Sequence, residues 1–475
     1  MFTLADLIES QKGIRPKVET PSFNGVVVDS RQAFPGALFI AIPGERVDGH
    51  DFVEDAVKRG AIVALIQHEI GGSIPVLDLR TLITEADLKI YALKPPLCLR
   101  VNNSLESLQK AARFWRRKLA LRVIGITGSV GKSTTKEIVA DVLSQRYRTH
   151  RNPGNLNNEI GLPISLLQLT ENHERAVLEM GFYLPGEIAF LCDLALPHVG
   201  IVTNIGTVHA ERAGSKEAIA RGKAELVEAL PPEPNGIAIL NYDDPLVREM
   251  AGFTKAKVFY YGLDPRADLW ADEVESLGLE GIRFRLHFRF ETLYLRVPMI
   301  GRHSIQATLR AAAVGLVEGL TWQEIIQGLR SSTSQLRLIT VRAANGALII
   351  DDTYNASPES MLAALNLLHE LDGRKVAVLG DMLELGPYER RGHALVGLRA
   401  AEVVDLLVTV GEKGKQISVS ARLGGMHPDS IYHFDETDKV VQYLKENLTG
   451  NDIVLVKGSH GMRMDRIVNA LEVLR

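Results

Sequence analysis

The sequence has few cysteines and no long apolar run. Its 475 residues include two cysteines, Cys98 and Cys192, too few to crosslink so long a chain, so we expect buried thiols in a reducing compartment. No apolar stretch reaches the roughly 18 residues that a membrane helix needs. Met1–Ser10 lacks the basic start of a signal peptide. We therefore expect a cytoplasmic protein with no membrane insertion.

An excess of charge of one sign is also missing. The chain carries 54 lysines and arginines against 58 aspartates and glutamates, a net charge of −4. This balance argues against a dedicated nucleic-acid binder, which would be basic. Hydrophobic residues make up 46% of the chain, enough for several packed cores. At roughly 150 residues per domain the length predicts about three domains, and we expect a monomer with no nucleic-acid partner.

The first predicted domain, residues 1–98, mixes short strands with turns. Gly25–Asp29 and Ala37–Ala41 have the apolar character of buried strands. Met1–Ser10 has the spacing of a short amphipathic helix. Lys94–Pro96 is a plausible hinge toward the next section. These features indicate a small mixed α/β domain.

Residues 99–332 and 333–475 alternate continuous apolar strands with helices, a pattern typical of parallel sheets covered on both faces. After a helix over Leu105–Leu119, the strands predicted in the first of these sections are Arg122–Thr127, Arg175–Met180 and Val199–Thr203. Those predicted in the second are Ala347–Ile350, Lys375–Leu379, Asp405–Val410 and Asp452–Val456. The predicted fold is α/β with three domains: the small mixed N-terminal domain, a central P-loop domain with a parallel sheet, and a C-terminal doubly wound, Rossmann-like domain.

The sharpest motif is a glycine-rich turn over Thr127–Thr134, which follows a buried strand and opens a helix. Glycines let backbone N–H groups turn toward phosphate oxygens, and a helix N-terminus favours an anion. Lys132 can reach the β- and γ-phosphates of ATP, and Ser133 can place its hydroxyl on Mg²⁺. The motif therefore predicts a phosphate loop, with a chance Gly-Lys-Ser turn as the alternative.

The loop departs from the common spacing. Ile126 occupies the position of the usual first glycine, and Gly125 and Gly128 flank it. The motif is thus a variant of the phosphate loop.

Two further residues could hold Mg²⁺ near this loop. Glu179 ends one apolar strand and His209 lies just past another, and ligands collect at the carboxyl ends of parallel strands. The alternatives are a solvated strand end for Glu179 and an unrelated lone histidine for His209.

Lys223 falls on the apolar stripe of a helix predicted over Glu217–Leu230, four residues after Ile219 and four before Val227. One interpretation is snorkelling, in which the stem is buried and the ammonium reaches solvent. The other is a functional lysine whose burial favours the neutral amine. A neutral amine can react with carbon dioxide to form an anionic carbamate that binds metal through oxygen.

These features resemble the Mur ligase family, ATP-dependent enzymes that form amide bonds in cell-wall synthesis, and the likeness runs over nearly the whole chain. In the N-terminal section it rests on Asp29-Ser-Arg31, Pro35-Gly36, Phe39 and Asp48-Gly-His50. It implies a UDP-sugar-binding domain in which substrate contacts come from Ser30, Arg31, Asp48, Gly49 and His50.

In the centre, the resemblance covers the phosphate loop, Asn155–Pro163, Glu179 and His209. It places the family's carbamylated lysine on Lys223. The implied metal ligands for Mg²⁺ are Ser133, Glu179, His209 and carbamylated Lys223. The implied ATP-binding residues of this section are Gly128, Ser129, Gly131, Lys132, Ser133, Thr134, Asn158 and His303.

In the third section, Asp351–Pro358, Gly380–Gly386 and Val456–Ser459 resemble stretches that contact the nucleotide and a D-alanyl-D-alanine dipeptide. The string Asp-Asn-Pro-Arg, usual in the diaminopimelate-adding members, is absent from the sequence. The resemblance implies nucleotide contacts from Arg337, Asp352 and Asn355, and dipeptide contacts from Asp381, Met382, Glu384 and Lys457. A capped strand end for Asp351 and Asp352, and a solvated side chain for Lys457, are the structural alternatives.

Three positions depart from the family pattern. Ser304 and Ala307 stand where the family usually has asparagines that help to seat adenine, so looser nucleotide selectivity is expected. The usual Gly-Arg-Leu at the start of the third domain reads Leu336-Arg337-Leu338, which keeps the arginine and loses the glycine.

The resemblance implies a ligase that joins D-alanyl-D-alanine to the carboxylate of UDP-N-acetylmuramoyl-tripeptide through an acyl phosphate, with ATP as the phosphate donor. The expected catalytic residues are Lys132, Glu179, His209, Lys223 and Arg337, brought together by domain closure. Three alternatives stay open: a Mur-type ligase with another amino-acid acceptor, a P-loop ATPase that drives transport or assembly, and a non-catalytic nucleotide-dependent scaffold.

Overall fold

The computed structural model describes residues 1–44, 47–82, 84, 88, 93–207, 210–331 and 339–472. These residues form three sheets that follow one another along the chain. Both cysteines are free and buried, as the sequence predicts. Among the described helices, none is long and apolar enough to cross a membrane.

The first sheet is parallel throughout, in the order β1-β2-β3-β5-β4. Its strands are β1 (Gly25–Val27), β2 (Ala37–Ile40), β3 (Val63–Ile66), β4 (Val76–Asp78) and β5 (Leu97–Arg100). Its helices are α1 (Leu4–Lys12) and α2 (Val53–Lys58). Helix α1 begins where Thr3 and Asp6 cap each other's backbone N–H groups, a reciprocal arrangement that stabilises a helix start.

The central sheet has the order β14-β13-β12-β11-β10-β9-β6-β8-β7. Its strands are β6 (Arg122–Thr127), β7 (Thr149–Arg151), β8 (Arg175–Glu179), β9 (Val199–Val202), β10 (Ile237–Asn241), β11 (Lys257–Gly262), β12 (Leu269–Ser276), β13 (Ile282–Phe288) and β14 (Glu291–Val297). The helices of this section are α3 (Ser104–Lys118), α4 (Lys132–Leu143), α5 (Gly161–Leu167), α6 (Glu187–Ala195), α7 (Ala210–Ala213), α8 (Lys216–Glu228), α9 (Pro245–Arg248), α10 (Ile305–Val317) and α11 (Trp322–Ser331).

One edge of the central sheet differs from the parallel sheet that the sequence predicts. Strands β12, β13 and β14 pair antiparallel. Strands β13 and β14 are joined by Arg289 and Phe290 alone, and so short a connection permits only a hairpin, because parallel neighbours need a crossover of about a dozen residues. The remaining pairs from β7 to β12 are parallel.

The third sheet has the order β15-β16-β20-β17-β18-β19, with only β15 antiparallel. Its strands are β15 (Ile339–Arg342), β16 (Leu348–Asp352), β17 (Arg374–Gly380), β18 (Leu406–Val410), β19 (Ile431–Phe434) and β20 (Asp452–Lys457). Its helices are α12 (Pro358–Glu370), α13 (Glu389–Val403), α14 (Gly414–Leu423), α15 (Thr437–Asn447) and α16 (Asp465–Leu471). Apolar clusters cover both faces of this sheet, which confirms the doubly wound prediction.

The domain limits stay predictions. The limit set between residues 98 and 99 falls inside β5, which pairs with β3 and β4. Lys94–Pro96, expected to be a hinge, therefore leads into another strand of the first sheet. The limit set between residues 332 and 333 lies outside the described residues.

Candidate active site

The phosphate loop has the conformation that its glycines allow. Strand β6 ends at Thr127, Gly128 and Gly131 have φ angles of 144° and 82°, and α4 begins at Lys132. A Cβ atom on Gly128 would lie 1.8 Å from Oγ1 of Thr203, so only glycine fits. The turn thus presents the N-terminus of α4, where backbone N–H groups favour an anion.

The structure brings Ser133 and Glu179 together at this turn. Oγ of Ser133 donates to Oε2 of Glu179 at 2.7 Å, and Glu179 is buried at the end of β8. The solvated strand end considered for Glu179 is therefore wrong. A hydroxyl and a carboxylate next to a phosphate loop are the oxygen donors that Mg²⁺ prefers, so these two residues fit the ion.

Two asparagines that the sequence interpretation missed hold Glu179 in place. Nδ2 of Asn157 donates to Oε1 of Glu179 at 2.8 Å. Oδ1 of Asn152 accepts the backbone N–H of Glu179 at 2.9 Å, and its Nδ2 donates to the carbonyl of the same residue at 3.2 Å. Asn157 lies in the Asn155–Pro163 stretch that carries the family resemblance, and the signal for Asn152 was the density of asparagine between residues 152 and 158.

Lys136, on the second turn of α4, was also missed. Its side chain is fully buried, and Nζ donates to the carbonyls of Asn152 and Gly154 at 2.8 and 2.9 Å. The same ammonium lies 3.3 Å from Oε1 of Glu137 and 3.9 Å from Oε2 of Glu179. Lys136 therefore ties the asparagine-rich loop to both the helix and the carboxylate.

Lys132 and Lys223 approach the same region. Nζ of Lys132 donates to the carbonyl of Gly128 at 2.9 Å. Burial lowers the pKa of Lys132, an effect that the charge of Glu179 opposes. Lys223 is 1% exposed, with Nζ 4.6 Å from the ring centre of Phe182. The snorkelling interpretation of Lys223 is therefore wrong.

The burial of Lys223 has an electrostatic consequence. Desolvation lowers its pKa well below the ordinary lysine value, and the positive charge of Lys132 lowers it further. Both effects favour the neutral amine.

Predicted nucleotide residues and Lys457, a predicted dipeptide contact, lie where the central and third sections meet. Nζ of Lys457 lies 2.8 Å from Oδ2 of Asp352 and donates to the carbonyl of Asn355 at 2.7 Å. Lys457 is buried, which rules out the solvated alternative. Desolvation lowers the pKa of His303, and the charges of Asp352 and Lys457 act on the same imidazole.

Two of the three positions that depart from the family pattern lie at the start of α10. Oγ of Ser304 donates to the carbonyls of Gly301 and Met299 at 2.7 and 3.3 Å. Ala307 is buried and carries no polar atom. Neither side chain offers the amide that the family pattern would present to adenine.

The predicted dipeptide residues surround the end of β17. Oδ1 of Asp381 accepts the backbone N–H of Gly414 at 2.6 Å. Met382 is fully buried, and its backbone N–H donates to Nε2 of His393 at 3.0 Å. The carbonyl of Glu384 accepts the backbone N–H of Glu211 at 3.4 Å, and its Oε1 lies 3.7 Å from Nη2 of Arg212.

The predicted sugar-binding residues form a separate group in the first section. Ser30 is buried, and the exposed Arg31 pairs with Asp29 at 2.7 Å. Gly49 and His50 begin the 3₁₀ helix Gly49–Phe52, which Asp48 caps.

Asp48 also joins two histidines. Its Oδ1 lies 2.6 Å from Nδ1 of His50 and its Oδ2 lies 3.1 Å from Nε2 of His68. Nε2 of His50 accepts the backbone N–H of Gln67 at 2.8 Å, so the lone pair that a metal would need is occupied. This group is therefore a hydrogen-bonded network and not a metal site.

The structure describes three of the remaining predicted residues and leaves two undescribed. Thr134 lies in the first turn of α4, and Ser129 accepts the backbone N–H of Gly206 through Oγ at 2.8 Å. Oδ1 of Asn158 accepts the N–H groups of Ile160 and Gly161 at the start of α5. His209 and Arg337 lie outside the described residues, so their predicted roles stay predictions.

Comparison with known proteins agrees with this three-part layout. Three family profiles match in chain order: a Mur ligase catalytic domain over residues 22–85, a Mur ligase middle domain over 126–315 and a Mur ligase glutamate ligase domain over 336–460. A UDP-N-acetylmuramoyl-tripeptide–D-alanyl-D-alanine ligase of Bacillus subtilis is 35% identical over 99% of this chain and 98% of its own length. The chain belongs to the Mur ligase family.

Solved structures of this family share the whole architecture. MurF from Acinetobacter baumannii superposes with a TM-score of 0.82 at 30% identity and covers 98% of both chains. MurF ligase from Thermotoga maritima, solved in complex with ADP, gives a TM-score of 0.76 at 28% identity over 94% of this chain and 96% of that one. These matches confirm the predicted three-domain α/β fold and the resemblance to the Mur ligase family. The relatives named above are ligases.

Proposed function

We propose that this Mur ligase joins D-alanyl-D-alanine to UDP-N-acetylmuramoyl-tripeptide, with ATP as the energy source, in peptidoglycan synthesis. The observation that supports this most is the length of the match, because 99% of the chain aligns with a relative of that name. Each section would then bind a different substrate: the first binds the UDP end, the central one binds ATP, and the third binds the dipeptide. A cytoplasmic location follows from these nucleotide substrates.

The chemistry proceeds in two steps. The terminal carboxylate of the tripeptide attacks the γ-phosphorus of ATP, which forms an acyl phosphate and releases ADP. The free amine of D-alanyl-D-alanine then attacks the acyl carbon and loses a proton, and inorganic phosphate leaves. Both steps bring anions together, so positioning and neutralisation of charge carry most of the catalysis.

Residues at the phosphate loop fit the first step. Lys132 would pair with the β- and γ-phosphates, where the N-terminus of α4 also favours negative charge. Ser133 and Glu179, held 2.7 Å apart, would bind one Mg²⁺, and His209 with the carbamate of Lys223 would bind a second. When bound, Mg²⁺ would neutralise charge between the phosphates and the attacking carboxylate. Arg337 would add positive charge from the third section.

Lys223 would contribute as a carbamate. Its buried amine, with a lowered pKa, can attack carbon dioxide, which forms an N–C bond and releases one proton. The resulting anion would be an oxygen donor beside Lys132. Carbon-13 NMR with labelled bicarbonate would give a carbamate signal in the native protein and none in Lys223→Met. A native protein without that signal would overturn the carbamate and leave the ligase assignment intact.

Mass spectrometry of the product tests the function. The purified protein with UDP-N-acetylmuramoyl-tripeptide, ATP, Mg²⁺ and D-alanyl-D-alanine should yield the pentapeptide and one phosphate for each product. Lys132→Met, which removes the charge that meets the phosphates, should yield neither. Parallel assays with diaminopimelate or lysine identify a ligase with another acceptor, and phosphate release without any acceptor identifies an ATPase; either result would overturn the proposal.

A further inference from the structure

Arg310 lies beneath the phosphate loop, three residues after Ala307, at a position that no sequence motif marks. Its side chain projects from α10 and is only 5% exposed. Nε donates to Oγ1 of Thr135 at 2.8 Å, and Nη1 donates to the hydroxyl of Tyr261 at 3.2 Å. Thr135 belongs to the first turn of α4, so the guanidinium touches the helix that begins at the loop.

The third nitrogen of the guanidinium faces the loop itself. A Cβ atom on Gly131 would lie 3.3 Å from Nη2 of Arg310. Gly131 is the left-handed residue that precedes α4, and its carbonyl accepts a hydrogen bond from Oγ1 of Thr135 at 2.6 Å. Arg310 therefore packs against Gly131 and Thr135, the residues on either side of the first helical turn after the loop.

The positive charge of Arg310 has no carboxylate partner among the residues that the structure describes. Its hydrogen-bond partners are two hydroxyls. The acids near Tyr261 are engaged elsewhere: Asp243 accepts the N–H groups of Leu263 and Asp264, and Asp244 accepts that of Ile205. Since a buried charge is costly unless an opposite charge compensates it, a guanidinium in this place points to an anion that arrives with a ligand.

We propose that Arg310 is a nucleotide-binding residue whose counter-ion is the polyphosphate of the bound nucleotide. The inference rests on the proposed function only in that a nucleotide binds the loop. Arginine–phosphate pairs are among the stronger hydrogen bonds in proteins. At the start of the same helix, Ser304 and Ala307 present no side-chain amide to a base. Arg310 therefore makes nucleotide affinity depend more on the number of phosphates than on the identity of the base.

Calorimetric titration of ADP, AMP and adenosine into Arg310→Gln and the native chain tests this. We expect ADP affinity to fall by about tenfold or more, AMP affinity by less, and adenosine affinity to stay within about twofold, since only the phosphates meet the guanidinium. The matched control is Thr135→Val, which removes the same Nε hydrogen bond and keeps the charge. It should weaken ADP binding by no more than about threefold.

Two outcomes would overturn the proposal: unchanged ADP affinity in Arg310→Gln, or an equal loss for ADP and adenosine, which would indicate a purely structural link between Thr135 and Tyr261. If Arg310→Gln does not fold, Arg310→Lys keeps the charge and should retain the preference for ADP over adenosine; an equal loss of both ligands there would also overturn it. A native chain that binds ADP but makes no pentapeptide would overturn the proposed function alone.

Discussion

Oγ of Ser133 and Oε2 of Glu179 are 2.7 Å apart, although 46 residues separate them along the chain. Strands β6 and β8 are parallel neighbours, with Ile126 paired to Glu179. Their carboxyl ends therefore meet at one edge of the sheet, where the phosphate loop begins. The hydrogen bond places two oxygen atoms that could bind a metal ion next to each other.

Glu179→Gln tests that pair. The amide keeps the shape of the side chain but loses the negative charge, so Mg²⁺ binding should weaken. We expect the rate of phosphate release to fall at least about a hundredfold, with a higher Mg²⁺ concentration needed for half activation. Activity against Mg²⁺ concentration is the measurement, and Glu217→Gln, on the exposed face of α8, is the control. Native-like activity in Glu179→Gln would exclude Glu179 as a metal ligand.

Lys223→Met should stabilise the protein while it impairs catalysis. Because the pKa of Lys223 is lowered in the folded state, the unfolded chain binds more protons at this lysine than the folded protein does. This difference lowers the free energy of unfolding near neutral pH. The loss becomes smaller as pH rises toward the ordinary lysine pKa of 10.5. Methionine removes this cost. We expect an increase of about 1–3 kcal/mol in the free energy of unfolding near neutral pH in carbon-dioxide-free buffer.

The pH dependence supplies the check on Lys223. Chemical denaturation at several pH values should show that the increase in unfolding free energy from Lys223→Met shrinks as pH rises toward 10.5. The reason is that the lysine of the unfolded chain then also loses its proton, as the buried lysine of the folded protein already has. A gain that does not vary with pH would mean that the charge of Lys223 is not its source.

Lys136→Met should disturb the loop that holds Glu179. The substitution leaves the carbonyls of Asn152 and Gly154 without their buried donor, and an unsatisfied buried group costs about 1–3 kcal/mol. We expect a lower melting temperature and an increase of several-fold in the Mg²⁺ concentration for half activation. The exposed Lys257→Met on β11 serves as the control. Loss of stability without any change in Mg²⁺ dependence would restrict Lys136 to a structural role.

Glu359 links the third section to the central one. Its Oε1 accepts the backbone N–H of Thr207 at 3.2 Å, and its carboxylate packs on Gly206. Since Thr207 follows β9 and Glu359 begins α12, Glu359→Ala should favour a more open arrangement of the two sections. We expect KM for the dipeptide to rise about three- to tenfold while ADP affinity is unchanged. Glu402→Ala on α13 is the control, and equal losses for both ligands would contradict an effect on closure.

Local patterns were sufficient for much of the fold. Apolar runs such as Arg122–Thr127 and Asp452–Lys457 are strands in the structure because a strand covered on both faces needs continuous apolar residues. The hairpin strands β13 and β14 were missed, since Arg283, Arg285 and Arg296 interrupt them with charge. Those arginines form ion pairs with acidic residues across the sheet or at its rim. The pattern of a single strand does not include these partners.

The turn at Gly128–Gly131, the place of Glu179 at a strand end and the apolar stripe that carries Lys223 could all be predicted from local sequence, because periodicity and steric limits act over a few residues. Which charged groups come into contact depends on the folding of the whole chain. Lys136 finds Asn152, and Arg310 reaches Thr135 across 175 positions, because sheet order and helix packing bring distant segments together. Burial, which sets the protonation of Lys223 and the need of Arg310 for an anion, likewise arises only from that packing.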